Sequence, residues 1–259
     1  MPPGPGAAFL KRVAVMAERL PRSPAFPCSL PFVPNLELSF AHAVTYFVGE
    51  NGSGKSTLVE AIAEACGLPI WGGSRNEAAT RQGPDERSAL GGYLRCSFAR
   101  RPRDGYFFRA ELQAHFASLL DQRHEDVEFV DDPYRAYGGR SLHAQSHGEA
   151  FLAVLLNRLR SGMFVMDEPE SALSPQRQLA LLARMAELAD AGSAQFIIAT
   201  HSPILLTFPH ADIISFDVAP LRRVTLEETS HYQITRGILE DPARYWRLLR
   251  QGDDEVQPG

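Results

Sequence analysis

The sequence is short of lysine, of cysteine and of long apolar runs, and each shortage removes a class of protein. No apolar stretch in the 259 residues approaches the roughly 20 residues that a membrane-spanning helix requires, so membrane insertion is not expected. The N-terminal MPPGPGAAFLKRVAVMAERL carries its basic residues after a short Ala/Phe/Leu patch, the reverse of an export signal. Cys28, Cys66 and Cys96 are odd in number and form no C-x-x-C pair, which argues against a disulfide framework and gives no zinc pattern. A cytoplasmic protein is the expectation. The net charge of -5 supplies no global field for polyanions, although a local basic patch would serve that purpose. Lysine is the most telling shortage. Only Lys11 and Lys55 stand among 26 basic residues, and Lys55 lies inside GENGSGKST, residues 49 to 57.

What is present is ordinary for a globular protein: a hydrophobic content of 44% is enough for a sizeable core. RVAVM (12 to 16) and LELSF (36 to 40) read as antiparallel strands joined by a proline-rich connection, since prolines cannot occupy a helix interior. AVTYFVG (43 to 49) reads as a buried strand, and KSTLVEAIAEACG as a helix with Leu58, Ile62 and Cys66 on one face. Residues 68 to 140 are the least regular. They contain two extended segments, YLRCSFA and GYFFRAEL, around the turn-like RPRDG, and then a helix expected near 110 to 122. Order returns with SHGEAFLAVLLNRL as a helix, MFVMD as a strand, and PQRQLALLARMAELADAG as a helix opened by Ser174-Pro175 and closed by Gly192. QFIIAT and ADIISFD follow as strands. Alternation of strand and helix predicts an α/β fold: a mainly parallel sheet flanked by helices, with ligands at the carboxyl ends of its strands.

Gly49, Gly54, Lys55 and Ser56 satisfy G-x-x-x-x-G-K-[ST], with a strand before and a helix after, the arrangement of a phosphate-binding loop. By composition alone, such a match would occur by accident in roughly one chain in a thousand. Gly49, Glu50, Asn51, Gly52, Ser53, Gly54, Lys55, Ser56 and Thr57 form the expected cradle. Its backbone N–H groups and the helix N-terminus meet phosphate oxygens, Lys55 reaches the β and γ phosphates, and the Ser56 hydroxyl ligates Mg²⁺. The nucleotide reading therefore brings ATP and Mg²⁺ with it. Downstream, MFVMDEPE puts Asp167 at a strand end as a metal ligand, with Glu168 beside it to polarise the attacking water. QFIIATHSP puts His201 past another strand end, where it would hydrogen-bond the γ phosphate and report its presence. SHGE (146 to 149) opens a helix and offers a second anion-binding end; SALS (171 to 174) joins Glu168 to the next helix and reads equally as a capping turn.

In this order, GENGSGKST, SHGE, FVMDEPE, SALS and ATHSP resemble the motifs of the ATP-binding cassette (ABC) class of P-loop ATPases. By that resemblance SHGE is a degenerate signature, SALS the D-loop and His201 the switch histidine. The resemblance implies one ABC-type ATPase domain with an N-terminal antiparallel β portion. Its core lobe would be formed by about 1–67 and 150–230, an irregular or helical lobe by about 68–149, and a helical tail by about 231–250. It also implies a head-to-tail homodimer sandwiching two ATPs, in which the cradle of one subunit meets Ser146 and Gly148 of the other. QSHGEAFL and DEPESALS depart from the transporter pattern, and DEPESALSPQRQ and ATHSP look more like the RecF, OLD and SMC-head branch. ETSHYQITRGILEDPARYWRLL is similar to the tail of small stand-alone bacterial ATPases of that branch. Only about ninety residues separate Lys55 from Ser146, too few for a long coiled coil.

Other assignments stay open. Glu111 or Gln113 would supply the Q-loop, and Phe26 or Phe32 an aromatic for adenine. ATP hydrolysis, an ATP-driven dimerisation switch acting on DNA or a protein partner, and a transporter's ATPase subunit all use the same residues. ARRPRDGYFFR interleaves Arg100, Arg101, Arg103 and Arg109 with Tyr106, Phe107 and Phe108. It reads either as a nucleic-acid surface or, preferably, as a hairpin with solvated arginines and buried aromatics.

Overall fold

The computed structural model describes residues 6, 8–70, 72–74, 87–109 and 147–252. Two sheets organise them. The smaller has the order β2-β1-β5, where β1 (Leu10–Val15), β2 (Glu37–Ser39) and β5 (Leu94–Phe98) pair antiparallel. This is the antiparallel portion expected from RVAVM and LELSF.

The larger sheet has seven strands in the order β10-β9-β3-β8-β7-β6-β4. Its centre is parallel: β9 (Asp212–Ser215), β3 (Val44–Val48), β8 (Ala194–Ala199), β7 (Gly162–Asp167) and β6 (Gly105–Arg109). The edge strands β10 (Arg222–Val224) and β4 (Gly73–Ser74) are antiparallel. In β3, β7 and β8 every residue is buried, the pattern of parallel strands covered on both faces.

Because successive side chains point to opposite faces, the same strands feed two cores. Tyr46, Phe164, Phe196 and Ile198 pack on one side with buried residues of α2 (His147–Arg158) and α3 (Pro175–Asp190). Phe47, Val165, Ile197 and Phe107 face the other, against α1 (Lys55–Ala65) and the smaller sheet through Leu58, Ile62, Leu10 and Val13. Helix α3 begins at Ser174 and Pro175, as expected, and ends at Gly192, whose φ of 62° suits a residue without Cβ. Ser174 occupies the N-cap position but its side chain makes no capping bond. The chain closes with α4 (Ser230–Glu240) and α5 (Pro242–Gly252). No helix among the described residues is long and apolar enough to cross a membrane.

The expected hairpin around RPRDG does not form. β5 belongs to the smaller sheet and β6 to the larger, so the turn carries the chain between sheets. Tyr106, Phe107 and Phe108 are buried in the two cores and present no ring for base stacking. Arg100 and Arg101 lie over the Phe9 and Phe98 rings, at 4.7 and 4.8 Å from the centroids. The helix expected near 110–122 lies outside the described residues.

A buried polar clasp joins the sheets. Gln195, fully buried at the start of β8, accepts the Phe9 and Leu10 backbone N–H groups at 2.9 Å each and donates to the Leu10 carbonyl at 3.0 Å. Replacing it strands buried backbone groups without partners. Gln195→Leu is expected to lower unfolding free energy by about 2–4 kcal/mol, read from the urea midpoint at unchanged slope.

Candidate nucleotide site

Register brings the functional positions into one row. Phe47 of β3 pairs with Ala199 of β8, Ala199 with Asp167 of β7, and Asp167 with Arg109 of β6, while Val48 pairs with Ser215 of β9. All five parallel strands therefore end at one edge, where α/β sheets take their ligands. Gly49 follows β3, Glu168 follows β7 and His201 lies just beyond β8. Since β8 stands between β3 and β7, the histidine falls between the cradle and the acidic pair.

The cradle residues form the turn between β3 and α1, and α1 starts at Lys55 with Gly54 at its N-cap. Gly54 has φ 93°, and a Cβ there would approach Phe32 to 2.7 Å, so only glycine allows the loop to lie on this core. Gly49, at φ 145°, is likewise hemmed by Asp217 and Phe216. Asp217 also fixes the loop by accepting the Glu50 N–H at 3.0 Å. The Ser53 hydroxyl is buried with no partner. Lys55 is 4% exposed and its ammonium donates to the Gly49 and Glu50 carbonyls at 2.6 and 2.9 Å. Burial lowers its pKa, while Glu168, Asp167, Asp217 and Glu50 pull it back up.

The Ser56 hydroxyl donates to Asp167 Oδ1 at 3.1 Å, joining residues 111 apart in sequence. A hydroxyl and a carboxylate are hard oxygen donors. They fit Mg²⁺, which takes one or two protein ligands and completes its shell with phosphate and water. Asp167 is 8% exposed, and burial pushes its pKa up to about 6 against the opposing effects of Arg109 and the Ser56 hydrogen bond. Arg109 is itself paired with Glu60 at 2.7 Å.

Glu168 has φ 47° and ψ 55°, a left-handed conformation that costs a non-glycine residue on the order of 1 kcal/mol or more and clusters at functional sites. The Glu168 N–H donates to the Ala199 carbonyl at 3.0 Å, and the Ser171 hydroxyl donates to the Glu168 carbonyl at 2.8 Å. These contacts hold the turn that aims the side chain, 43% exposed, toward His201 Nε2 at 3.3 Å.

Four contributors escaped the sequence reading. Glu170 accepts the His201 backbone N–H, and its pKa is raised chiefly by burial. Gln178 accepts the Ser202 hydroxyl and donates to the Leu173 carbonyl at 3.0 Å, a buried bridge from the histidine loop to SALS. Asp217 braces the cradle, and His231 meets His201 from the tail, with 2.8 Å between ring nitrogens. A third acid in DEPE, a glutamine one turn into α3 and an aspartate ending SFD were visible signals; nothing local marked His231. Phe32 is not an adenine platform, because it is buried and packs edge-on against Phe216 at 5.1 Å; Phe26 is exposed. Gly148 lies in the first turn of α2. Ser146, Glu111 and Gln113 lie outside the described residues.

Asp167 yields a pH prediction. Its folded pKa of about 6 exceeds the unfolded value, so the folded state binds more protons in between. Stability falls as pH rises from about 4 to 6. Asp167→Asn removes that cost. It should stabilise the metal-free protein by about 1–3 kcal/mol above pH 7 and by less near pH 5, in parallel urea titrations.

Two family models match the chain. One, described as "AAA domain, putative AbiEii toxin, Type IV TA system", covers residues 86–207; the other, described as "AAA domain", covers residues 31–101. No curated protein matches in sequence. Among solved structures, "an inward-facing conformation of a putative metal-chelate type ABC transporter" aligns with TM-score 0.52 at 14% identity, over 87% of this chain and 88% of that one. At such identity the likeness is one of fold. An SMC head domain from Thermotoga maritima aligns at TM-score 0.42 and 17% identity over 83% of this chain and 98% of its own, too loosely to add to the assignment. The cradle on β3, the acidic pair on β7 and the strand between them thus lie in a fold like that of an ABC-type P-loop ATPase, in a chain that AAA-domain models match over residues 31–101 and 86–207.

Proposed function

We propose that the chain is a single-domain Mg²⁺-dependent ATPase, working as a head-to-tail homodimer that closes over two ATP molecules. The contact that carries the proposal is the one between Ser56 and Asp167, 3.1 Å apart, because it joins the end of the phosphate cradle to the acidic strand end in a geometry suited to one metal ion.

The division of work follows from position. The backbone of residues 49 to 57 cradles the phosphates, and Lys55 supplies a cation where negative charge accumulates. Ser56 and Asp167 would hold Mg²⁺, which when bound supplies charge neutralisation between phosphate oxygens. Glu168, solvent-accessible and adjacent to His201, takes the proton of the attacking water. The Nε2 of His201 donates to the γ phosphate. In the closed dimer Ser146 and Gly148 of the second subunit complete the phosphate shell. The exposed Glu168 of a lone subunit suits a site that gains its last groups from outside.

The second reading, a nucleotide-driven switch with slow hydrolysis, draws support from the tail's contact with His201, which ties the proposed phosphate sensor to a peripheral element. A slow basal rate that rises with a partner would favour it. The test of the hydrolytic assignment is steady-state phosphate release by purified protein. Glu168→Gln is expected to lose at least about 100-fold in turnover while keeping nucleotide affinity, and Lys55→Ala to lose affinity as well. Wild-type turnover in either variant would remove the assignment.

A further inference from the structure

His201 is held by more than its own strand. Its Nδ1 lies 2.8 Å from Nε2 of His231, and the rings meet at 62° with centroids 4.9 Å apart. His231 is the second residue of α4. The start of that helix is fixed by Thr229, whose hydroxyl accepts the Tyr232 N–H at 3.3 Å and donates to the Leu226 carbonyl at 2.7 Å. A capping box between Thr225 and Glu228 secures the turn before it. The ring of His231 is therefore delivered by a rigid element.

One proton lies between the two facing nitrogens of a neutral pair, and its owner follows from the other ends. His201 Nε2 faces the Glu168 carboxylate at 3.3 Å. Two bare acceptors at that distance would repel, so Nε2 carries hydrogen and Nδ1 is the acceptor. His231 must then donate through Nε2, which leaves its Nδ1 bare. That nitrogen is indeed buried with no partner, a place that suits a lone pair better than a stranded N–H. Burial and the neighbouring His201 both lower the pKa of His231, which favours the neutral donor. His201 Nε2 is also buried and makes no aligned hydrogen bond of its own; its proton is uncommitted, and an incoming acceptor reaches it once the Glu168 side chain, 43% exposed, moves aside. The charged groups acting on the pair are Glu168 and Glu170 on the His201 side, with Asp217, Glu50 and Lys55 acting on His231.

We propose that His231 is a positioning residue: its Nε2–H fixes His201 in the tautomer and orientation that present Nε2–H to the terminal phosphate, so helix α4 sets how well the site distinguishes ATP from ADP. The inference rests on the nucleotide site proposed above and adds to it a second histidine contributed by the tail. A ligand lacking the γ phosphate does not use this proton, so the effect is confined to ATP.

The experiment measures affinities for ATP, as a non-hydrolysable analogue, and for ADP by titration calorimetry, using wild type, His231→Phe and His231→Gln, all of which keep the Glu168 carboxylate, and Lys55→Ala as control. Histidine ¹⁵N shifts of the nucleotide-free proteins are recorded alongside. His231→Phe should lose about tenfold in ATP affinity with ADP affinity within about twofold of wild type, and the His201 Nδ1 signal should move. His231→Gln, whose amide N–H reaches to the position of Nε2, should recover most of the ATP affinity. Unchanged ATP affinity in His231→Phe, equal losses for ATP and ADP, an unmoved His201 signal, or a His231→Gln variant as impaired as His231→Phe would each overturn the proposal. A wild-type protein that binds neither nucleotide, or binds them as well with Lys55→Ala, would overturn the underlying site, and is recognised because it fails without any change at His231.

Discussion

Parallel hydrogen bonding between β3, β8 and β7 sets Phe47, Ala199 and Asp167 side by side, and the proposed site hangs from that row. Each strand hands its next residues to the same edge: the cradle from β3, the histidine loop from β8, the acidic pair from β7. A shift of one residue in any of these pairings would turn every side chain of the strand to the opposite core. Phe164 and Phe196, stacked 5.3 Å apart on one face, and Val165 and Ile197 on the other make such a slip costly. The two hydrophobic cores thus fix the register, and the register fixes the chemistry.

Function is held against local stability. Asp167 keeps a carboxylate in surroundings that raise its pKa, Lys55 is buried among backbone carbonyls, and Glu168 adopts a backbone conformation that disfavours it. Each is tolerated because the neighbouring structure determines it several times over. Glu168 is pinned by Ala199 and Ser171, the histidine loop by Glu170 and Gln178, and the cradle by Asp217. Such clusters of strain with compensating bonds mark sites where a ligand repays the cost.

The cradle was legible because its mechanism is local: glycines, one lysine and a hydroxyl between a strand and a helix act within nine residues. The acidic strand end was legible for the same reason. Strand order was not, since periodicity says which segments are strands but not that β8 lies between β3 and β7. The turn RPRDG misled because a short polar break usually makes a hairpin. GYFF, continuously apolar where YLRCSFA alternates, was the hint that the second segment is covered on both faces and belongs to another sheet. Gln195 and His231 were illegible in a different way. Gln195 acts on Leu10 across 185 residues and His231 on His201 across 30, and neither stands in a pattern that announces a partner.

The most direct test of the account is the solution mass of Glu168→Gln with and without Mg²⁺-ATP, because blocking hydrolysis traps whatever the nucleotide assembles. The account predicts a shift from monomer to dimer on Mg²⁺-ATP but not on Mg²⁺-ADP, lost in the further variant Ser146→Arg. A mass unchanged by ATP, under conditions where calorimetry shows the nucleotide bound, would contradict a site shared between two subunits.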